Sequence, residues 1–150
     1  MARDAIATWF FSLVVVRSGE RFLLVHERKH EQRWYLPAGR VEPGETLAQA
    51  AIRETLEESG VEIELEGLLR LEHRPMGSEA RVRALFVARP KPGSEPRTTP
   101  NEHSLGARFV TIEEAGALAL RGDEVLEILR YAATSPTTLP MSMVVVEGTP

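Results

Sequence analysis

The chain has 150 residues, a formal net charge of −4 and no cysteine. This length suits one domain with a substantial core, and the missing cysteine excludes disulfides, thiolate zinc sites and a cysteine nucleophile. With 18 basic and 22 acidic residues, the composition argues against a broad nucleic-acid-binding surface. A small anionic ligand, held by local arginines or by a bound cation, remains compatible with this charge.

The first apolar segment, residues 6–16, predicts a buried strand. It is rich in Trp, Phe and Val, ends at the turn-like pair Ser18-Gly19, and is too short to cross a bilayer. A signal peptide is the alternative, but the charged n-region and the cleavage site are both poor. Strands over residues 7–17 and 21–27 then form a predicted hairpin. We therefore expect no membrane association and a cytoplasmic location, which the lack of cysteine permits.

A charged loop and a short apolar segment precede the next element, a predicted helix. Pro37 must end the segment or place it at a sheet edge. Thr46 and Gln49 form a capping box, and Gly60 suits the position just after a helix, so the helix is predicted over residues 47–59. At 100° per residue, its predicted core-facing stripe consists of Ala48, Ala51, Ile52, Thr55 and Leu56.

The remaining elements are mostly strands, followed by two helices. The predicted strands cover residues 61–65, 68–73, 81–89 and 107–111, and the predicted helices cover residues 113–120 and 123–133. Residues 90–100 hold four of the ten prolines and form a loop. We divide the chain into a domain of residues 1–133 and an irregular C-terminal tail of residues 134–150. The β-forming run 143–146 in this tail could add an edge strand here or to a second subunit, so a homodimer stays open.

Three carboxylates on the predicted helix have the spacing of metal ligands. Glu54, Glu57 and Glu58 lie at i, i+3 and i+4, which places them on one helical turn. Hard oxygen ligands of this kind suit a magnesium-like ion. A solvated acidic face is the alternative, since most charge runs are just that. The glycines on either side and Glu45 favour a metal site.

The segment from residue 39 to residue 61 resembles the signature of the Nudix hydrolases, G-x5-E-x7-R-E-U-x-E-E-x-G-U, where U is aliphatic. The matching positions are Gly39, Glu45, Arg53, Glu54, Glu57, Glu58, Gly60 and Val61. Thr55 departs from the pattern, because an aliphatic residue is usual there. The order of the flanking strands agrees with the same family, so the resemblance spans most of residues 5 to 130.

This resemblance implies an α/β fold, a Nudix-type α/β/α sandwich with a mixed β-sheet, and metal-dependent hydrolysis of a pyrophosphate bond. The substrate would be a nucleoside diphosphate linked to another moiety, and the cofactor would be Mg²⁺, with Mn²⁺ as a substitute. By position, Glu57 and Glu58 resemble the principal metal ligands. Glu54 resembles a third ligand or the base that positions water, and the backbone oxygen of Gly39 would also face the metal.

Two further positions of the signature imply a supporting role. Glu45 and Arg53 resemble a salt bridge that holds the carboxylates in place. The mechanism that follows uses metal ions to neutralise phosphate oxygens, lower the pKa of water and align an in-line attack. No covalent nucleophile is needed.

Residues outside the signature give weaker signals for substrate binding. Arg28, Arg33 and Arg81 could contact substrate phosphates, although solvated charges explain them equally well. In the family that this chain resembles, the loop before the late strand often supplies another acidic group, and Glu102 or His103 could take that place. The four histidines share no spacing that indicates a zinc site.

The substrate itself stays open at this level. Residues 34–40 (WYLPAGR) and 86–90 (FVARP) resemble the branch that hydrolyses oxidised guanine nucleoside diphosphates. Pro75, fifteen positions after Gly60, resembles a marker of ADP-ribose hydrolases. The alternative function is a non-catalytic Nudix-fold module that binds a nucleotide sugar as a sensor. Because every acidic position of the signature is kept, we favour an enzyme.

Overall fold

The central strand of the sheet supplies side chains to two hydrophobic clusters. In β1 (Ala7–Ser18), Leu13 and Val15 join one cluster, and Val14 and Val16 join the other. This alternation follows from the two-residue period of a strand. The structure is a computed structural model that describes residues 3–149. Both faces of the sheet are therefore buried at β1, which explains the almost uninterrupted apolar run of its sequence.

Strands from the whole length of the domain contribute to one mixed sheet. The other strands are β2 (Arg21–His26), β3 (Trp34–Tyr35), β4 (Ala38–Arg40), β5 (Ile63–Met76), β6 (Glu79–Pro90), β7 (Gly106–Val110) and β8 (Leu139–Pro140). The main path runs β3-β2-β1-β6-β5-β8, while β4 pairs with β1 and β7 pairs with β2. The β1–β6 pair is parallel and the other pairs are antiparallel. The mixed sheet that the resemblance implied is confirmed.

Helices cover both faces of this sheet. Helix α1 (Leu47–Ser59) packs Ala51 into the cluster that contains Val14. On the opposite face, α2 (Ile112–Gly116) and α3 (Glu124–Ala133) pack into the cluster that contains Leu13. The predicted α/β/α sandwich is therefore confirmed. Among residues 3–149, no helix is long and apolar enough to cross a membrane.

Helix α1 begins and ends at the residues that the sequence predicts. The Gln49 backbone N–H donates to Thr46 Oγ1 (3.0 Å), and the Thr46 N–H donates to Gln49 Oε1 (2.9 Å), which completes the capping box. Gly60 follows the helix with φ of 79°, a left-handed conformation that glycine adopts without a steric penalty. Local signals alone thus determine both ends of this helix.

The predicted core-facing stripe of α1 is wrong in part. Ile52 and Leu56 are 42% and 45% exposed, while the buried positions of the helix are Ala50, Ala51, Thr55 and Ser59. Small side chains allow the helix to approach the sheet closely, and the hydroxyls find partners within the helix. Thr55 Oγ1 donates to the Ala51 carbonyl (2.8 Å), so it is buried without an unpaired polar group.

Several other boundaries differ from the prediction. The segments 61–65 and 68–73 form one strand, β5, whose register to β6 shifts twice near Gly67. Those irregularities interrupt the apolar alternation and make one strand resemble two. Helix α2 is shorter than predicted. The edge strand of the tail is β8, paired with residues 67–68, and residues 143–146 form no strand in the part of the chain that the structure describes. The exchange of a strand between subunits and the domain boundary at residue 133 stay predictions.

Candidate functional site

The loop between β4 and α1 brings the carboxylate of Glu54 against the backbone of Gly39. Gly39 is paired with Ser12 of β1, and Ser12 Oγ donates to the carbonyl of Leu47 (2.7 Å), which fixes the start of α1 beside this strand. A Cβ atom at position 39 would overlap the Glu54 carboxyl group. Any other residue at this position would therefore displace the Glu54 carboxyl group from its place.

Arg53 binds several carboxylates at once. Its Nε and Nη2 donate to Glu45 Oε2 (2.7 Å) and Oε1 (2.8 Å), which is a bidentate pair. Its Nη1 donates to Glu54 Oε1 (2.8 Å) and Glu57 Oε2 (3.2 Å). The hydrogen bond from Arg53 lowers the pKa of Glu45. The salt bridge implied by the resemblance is thus formed, and it connects two of the predicted metal ligands.

Glu58 lies deepest among these carboxylates. Its Oε1 accepts a hydrogen bond from the Ala38 backbone N–H (2.9 Å). Burial, and after it the nearby carboxylates of Glu54, Glu27 and Glu57, raise the pKa of Glu58 to about 8. Burial likewise raises the pKa of Glu54. The arrangement therefore concentrates negative charge that one arginine compensates only in part.

The donor set fits a divalent cation in its chemistry. In residues 3–149, no three His, Cys, Asp or Glu side chains converge closely enough to form a finished metal site. Glu54 and Glu57 are held by Arg53, while the buried Glu58 carboxylate has a single backbone N–H as its hydrogen-bond donor within the same residues. The predicted ligands all offer hard oxygen donors, the type that Mg²⁺ prefers. A cation would relieve the repulsion among these charges, which supports the predicted ligation. Ligation by Glu54, Glu57, Glu58 and the Gly39 carbonyl stays a prediction.

A cavity of about 290 Å³, here called the carboxylate cleft, opens beside Glu54 and Glu58. Its lining includes Glu27, Arg28, Lys29, His30, Glu102 and His103. Arg28 Nε donates to the backbone oxygen of Asn101, which ties the two loops at the cleft together. His103 Nδ1 lies 3.9 Å from Glu57 Oε2. The cleft thus contains both acidic and basic groups around the predicted ligands.

A second cavity of about 240 Å³, here called the arginine pocket, adjoins this cleft. It contains Phe11, Leu13, Tyr35, Arg81, Arg83 and Arg121, and it shares Glu27, His30 and Ala38 with the carboxylate cleft. Arg121 Nη1 lies 3.2 Å from Glu27 Oε2. Arg83 Nη2 contacts Glu124 Oε2 (2.9 Å), and the Tyr35 hydroxyl donates to Glu124 Oε1. An apolar floor with guanidinium groups at its rim suits a nucleoside.

Of the residues that the sequence indicates more weakly for substrate binding, some line the two cavities and one does not. Arg28 and Glu102 line the carboxylate cleft, and Arg81 lines the arginine pocket. Glu102 is mostly exposed, with 85% of its side chain accessible. Arg33 instead forms an ion pair with Glu31 (2.6 Å) and is not among the lining residues of either cavity. The structure therefore does not bring Arg33 to the site.

Sequence reasoning missed the residues that attach the loop of residues 91–105 to the end of α1. Arg97 Nη2 donates to the Glu58 carbonyl (3.1 Å), and its Nη1 donates to the Glu57 carbonyl (3.4 Å). The buried Ser104 also donates to the Glu58 carbonyl (2.6 Å). These carbonyls belong to the last turn of α1, which has no intrahelical donors and no basic residue of its own. No local pattern around Arg97 predicts such a long-range contact.

A loop and helix that carry this signature, within an α/β/α sandwich, define a Nudix domain. The model of the NUDIX domain family matches residues 10–130. The chain therefore belongs to the Nudix hydrolase family.

Similar proteins support this assignment. The chain is 46% identical over 82 residues to the human 8-oxo-dGDP phosphatase NUDT18, a match that covers 53% of this chain and 24% of that protein. Its counterpart of the same name from Danio rerio is 34% identical over 119 residues, covering 77% of this chain and 35% of that protein. The chain thus spans about a quarter to a third of the length of these relatives.

The fold also matches solved structures. A NUDIX hydrolase from Nitrosomonas europaea superposes with a TM-score of 0.76 at 24% identity, covering 95% of this chain and 99% of that one. An ADP-ribose pyrophosphatase from Streptococcus suis gives a TM-score of 0.67 at 19% identity, with coverages of 87% and 95%. At these identities the comparison shows the fold.

Proposed function

We propose that this protein is a metal-dependent pyrophosphohydrolase that acts on a nucleoside diphosphate derivative. The observation that carries the proposal is the placement of the signature carboxylates: Glu54 lies against the Gly39 backbone, Glu58 accepts from the Ala38 N–H, and Arg53 joins Glu57 to Glu54. Glu57 and Glu58 would hold Mg²⁺, or Mn²⁺ in its place, and Glu54 would act as a third ligand or accept the proton of the attacking water. The cation supplies neutralisation of phosphate oxygens and a lowered pKa of bound water.

Other residues of the chain position the reacting groups. Arg53, joined to Glu45, holds Glu54 and Glu57 at fixed places, so these carboxylates need little reorganisation when the substrate binds. Arg28 lies in the carboxylate cleft, where its guanidinium group would contact a phosphate oxygen. Glu102 or His103, in the same cleft, would assist proton transfer.

An oxidised guanine nucleotide is the substrate class that we place first. Three relatives carry the name 8-oxo-dGDP phosphatase, and their matches cover 53–77% of this chain. The arginine pocket offers guanidinium donors, which suit the carbonyl acceptors of a guanine-type base. Other nucleoside di- and triphosphates and ADP-ribose-like compounds are the remaining members of the proposed class.

A non-catalytic nucleotide-sugar sensor is the second candidate. The ion pairs of Arg53 with Glu54 and Glu57 favour it, because they occupy carboxylates that a metal would need. The two functions differ in one observable. A sensor binds its ligand with measurable heat and releases neither phosphate nor a nucleoside monophosphate.

The test is a magnesium-dependent assay of wild type and two variants over a panel of substrates. The panel contains normal and 8-oxo guanine nucleotides, ADP-ribose, dinucleoside polyphosphates and sugar nucleotides. We expect Glu57→Gln and Glu58→Gln to lower kcat by about 10²–10³-fold, the typical loss of a preorganised charged group. Glu127→Gln, on the exposed side of α3, is the matched control and should leave kcat unchanged. Unchanged hydrolysis in both cleft variants would refute the assignment.

A further inference from the structure

Two arginines face each other across neighbouring strands. Arg74 on β5 and Arg81 on β6 are direct register partners in the antiparallel pair. Like charges in this relation destabilise a sheet. Other arginines of β6 lie opposite carboxylates: Arg83 contacts Glu72 (2.7 Å), and Arg89 contacts Glu64 (2.6 Å). For Arg74 and Arg81, no ion pair and no side-chain hydrogen bond occurs among residues 3–149.

The Arg81 guanidinium is also incompletely hydrogen-bonded in a buried place. Its Nε is buried and has no partner, and it is the one buried side-chain nitrogen or oxygen atom of residues 3–149 in this condition. Buried polar atoms in native proteins almost always have a partner, so an exception requires an explanation. An anionic ligand would supply both the acceptor for Nε and the charge for the arginine pair.

These arginines line a cavity of about 210 Å³, here called the distal pocket. Its lining residues are Glu72, His73, Arg74, Arg81 and Arg83. Glu72 is the one carboxylate in this lining, and two arginines already share it: Arg70 at 2.9 Å and Arg83 at 2.7 Å. The distal pocket therefore has an excess of positive charge in a chain whose net charge is −4.

The distal pocket adjoins the arginine pocket. Arg81 and Arg83 line both the distal pocket and the arginine pocket. The arginine pocket in turn shares Glu27, His30 and Ala38 with the carboxylate cleft. An elongated molecule with its scissile bond in the cleft would reach Arg74 past the shared side chains of Arg81 and Arg83.

We propose that the distal pocket binds a second phosphate group of the substrate, remote from the bond that is cut. This inference rests on the proposed function. Two guanidinium groups offer planar sets of N–H donors that match phosphate oxygens. The lining of this cavity is mostly cationic, so a phosphate matches it better than a second nucleoside does. The substrate is then a nucleoside diphosphate that carries a further phosphate on its far side.

The first test uses inorganic phosphate as the probe and needs no hydrolysis. In isotope-labelled, metal-free protein, the Nε–Hε resonance of Arg81 is identified by its loss in Arg81→Lys. We expect the chemical shift of this resonance to change saturably as phosphate is added at constant ionic strength. The same titration with chloride is the reference and should give no saturable change. Arg74→Ala should weaken the apparent affinity about tenfold, which corresponds to one charge-assisted hydrogen bond. Arg130→Ala, an exposed arginine on α3, is the matched control and should change nothing.

The second test asks whether the phosphate belongs to a substrate. It compares two guanosine 5′-diphosphates, with and without a 3′-phosphate. We expect Arg74→Ala to raise KM about tenfold for the 3′-phosphorylated compound alone, with kcat unchanged. An equal rise for both compounds overturns the proposal, because Arg74 would then act on the common part of the substrate.

The two tests separate the failure of this proposal from failure of the proposed function. If wild type hydrolyses neither compound, the proposed function fails for this substrate class, while binding of both compounds to Glu58→Gln still decides the distal site. Saturable binding of free phosphate without preference for the 3′-phosphorylated compound identifies free phosphate as the ligand and overturns the substrate assignment. A chemical shift of Arg81 that chloride reproduces overturns the site itself.

Discussion

The carboxylate cleft gathers negative side chains and the distal pocket gathers positive ones. The two sites differ in how far partners of opposite charge compensate the repulsion between these like charges. In the cleft, Arg53 lies within hydrogen-bond distance of Glu45, Glu54 and Glu57 and offsets part of the negative charge. In the distal pocket, the one carboxylate of the lining, Glu72, is already shared by two other arginines. The cleft therefore holds its side chains in place before any cation binds, whereas Arg74 and Arg81 depend on a ligand for their partner.

Burial differs between the two clusters as well. Burial is the main cause that raises the pKa of Glu58 to about 8, because water solvates this carboxylate poorly. Arg74 is exposed, and water screens its charge. Changes in the cleft should therefore have larger effects than changes in the distal pocket, and the variants below test this order.

After the substitutions of Glu57 and Glu58 themselves, the largest effect is expected at Arg53. Arg53→Ala removes the partner of Glu45, Glu54 and Glu57, so we expect kcat and Mg²⁺ affinity to fall about 10–100-fold, the usual cost of losing a group that orients metal ligands. Calorimetric titration with Mg²⁺ and steady-state kinetics measure both quantities. Arg21→Ala, which breaks the exposed pair with Glu114 (2.8 Å), is the control and should change neither. A variant with normal Mg²⁺ affinity would show that the cleft is organised without Arg53.

The second prediction concerns Tyr35 in the arginine pocket and the stability of the fold at alkaline pH. Burial and the Glu124 carboxylate raise the pKa of Tyr35 to about 12, so the neutral hydroxyl stabilises the fold below pH 10. This contribution, about 2–3 kcal/mol, is lost as the pH rises from about 10 to 12. Chemical denaturation at several pH values should show the decline in wild type and a flatter profile in Tyr35→Phe. Parallel profiles for the two proteins would contradict the prediction.

A smaller effect is expected where the loop of residues 91–105 meets α1. Arg97→Ala removes two donors to the last carbonyls of the helix, so we expect kcat to fall about tenfold, the equivalent of one charge-assisted hydrogen bond. Hydrogen exchange of residues 97–105 should accelerate in the same variant. Arg89→Ala, which removes an exposed arginine paired with Glu64, provides the comparison. Unchanged exchange in the loop would show that backbone contacts alone attach it.

The sequence allowed much of the cleft to be predicted because its residues are close together in the chain. Thr46, Gln49 and Gly60 determine α1 through local hydrogen bonds and backbone conformation, so its bounds were predicted correctly. The pairing of Glu45 with Arg53 followed from the family signature. The exposure of Ile52 and Leu56 could not be predicted, because it depends on where the sheet lies relative to the helix.

The distal pocket is the opposite case. Arg74 lay beyond the end of the predicted strand 68–73, and its relation to Arg81 depends on a register that irregularities near Gly67 shift. No pattern within either strand indicates which residues become partners across the pair. Likewise, Arg97 reaches the Glu58 carbonyl from 39 positions away, and the sequence alone carries no signal for that contact.

The smallest effect is expected at Arg74, and its sign is the informative part. Removing one of two opposed like charges should stabilise the protein, so we expect Arg74→Gln to raise Tm by about 1 °C in phosphate-free buffer of low salt. Added phosphate should reverse the order, because it stabilises wild type through binding and the variant less. Calorimetry with and without phosphate measures both steps, with Arg130→Gln as the control. A lower Tm for Arg74→Gln without phosphate would mean that Arg74 already has an attractive partner, and the contrast with the carboxylate cleft would then be lost.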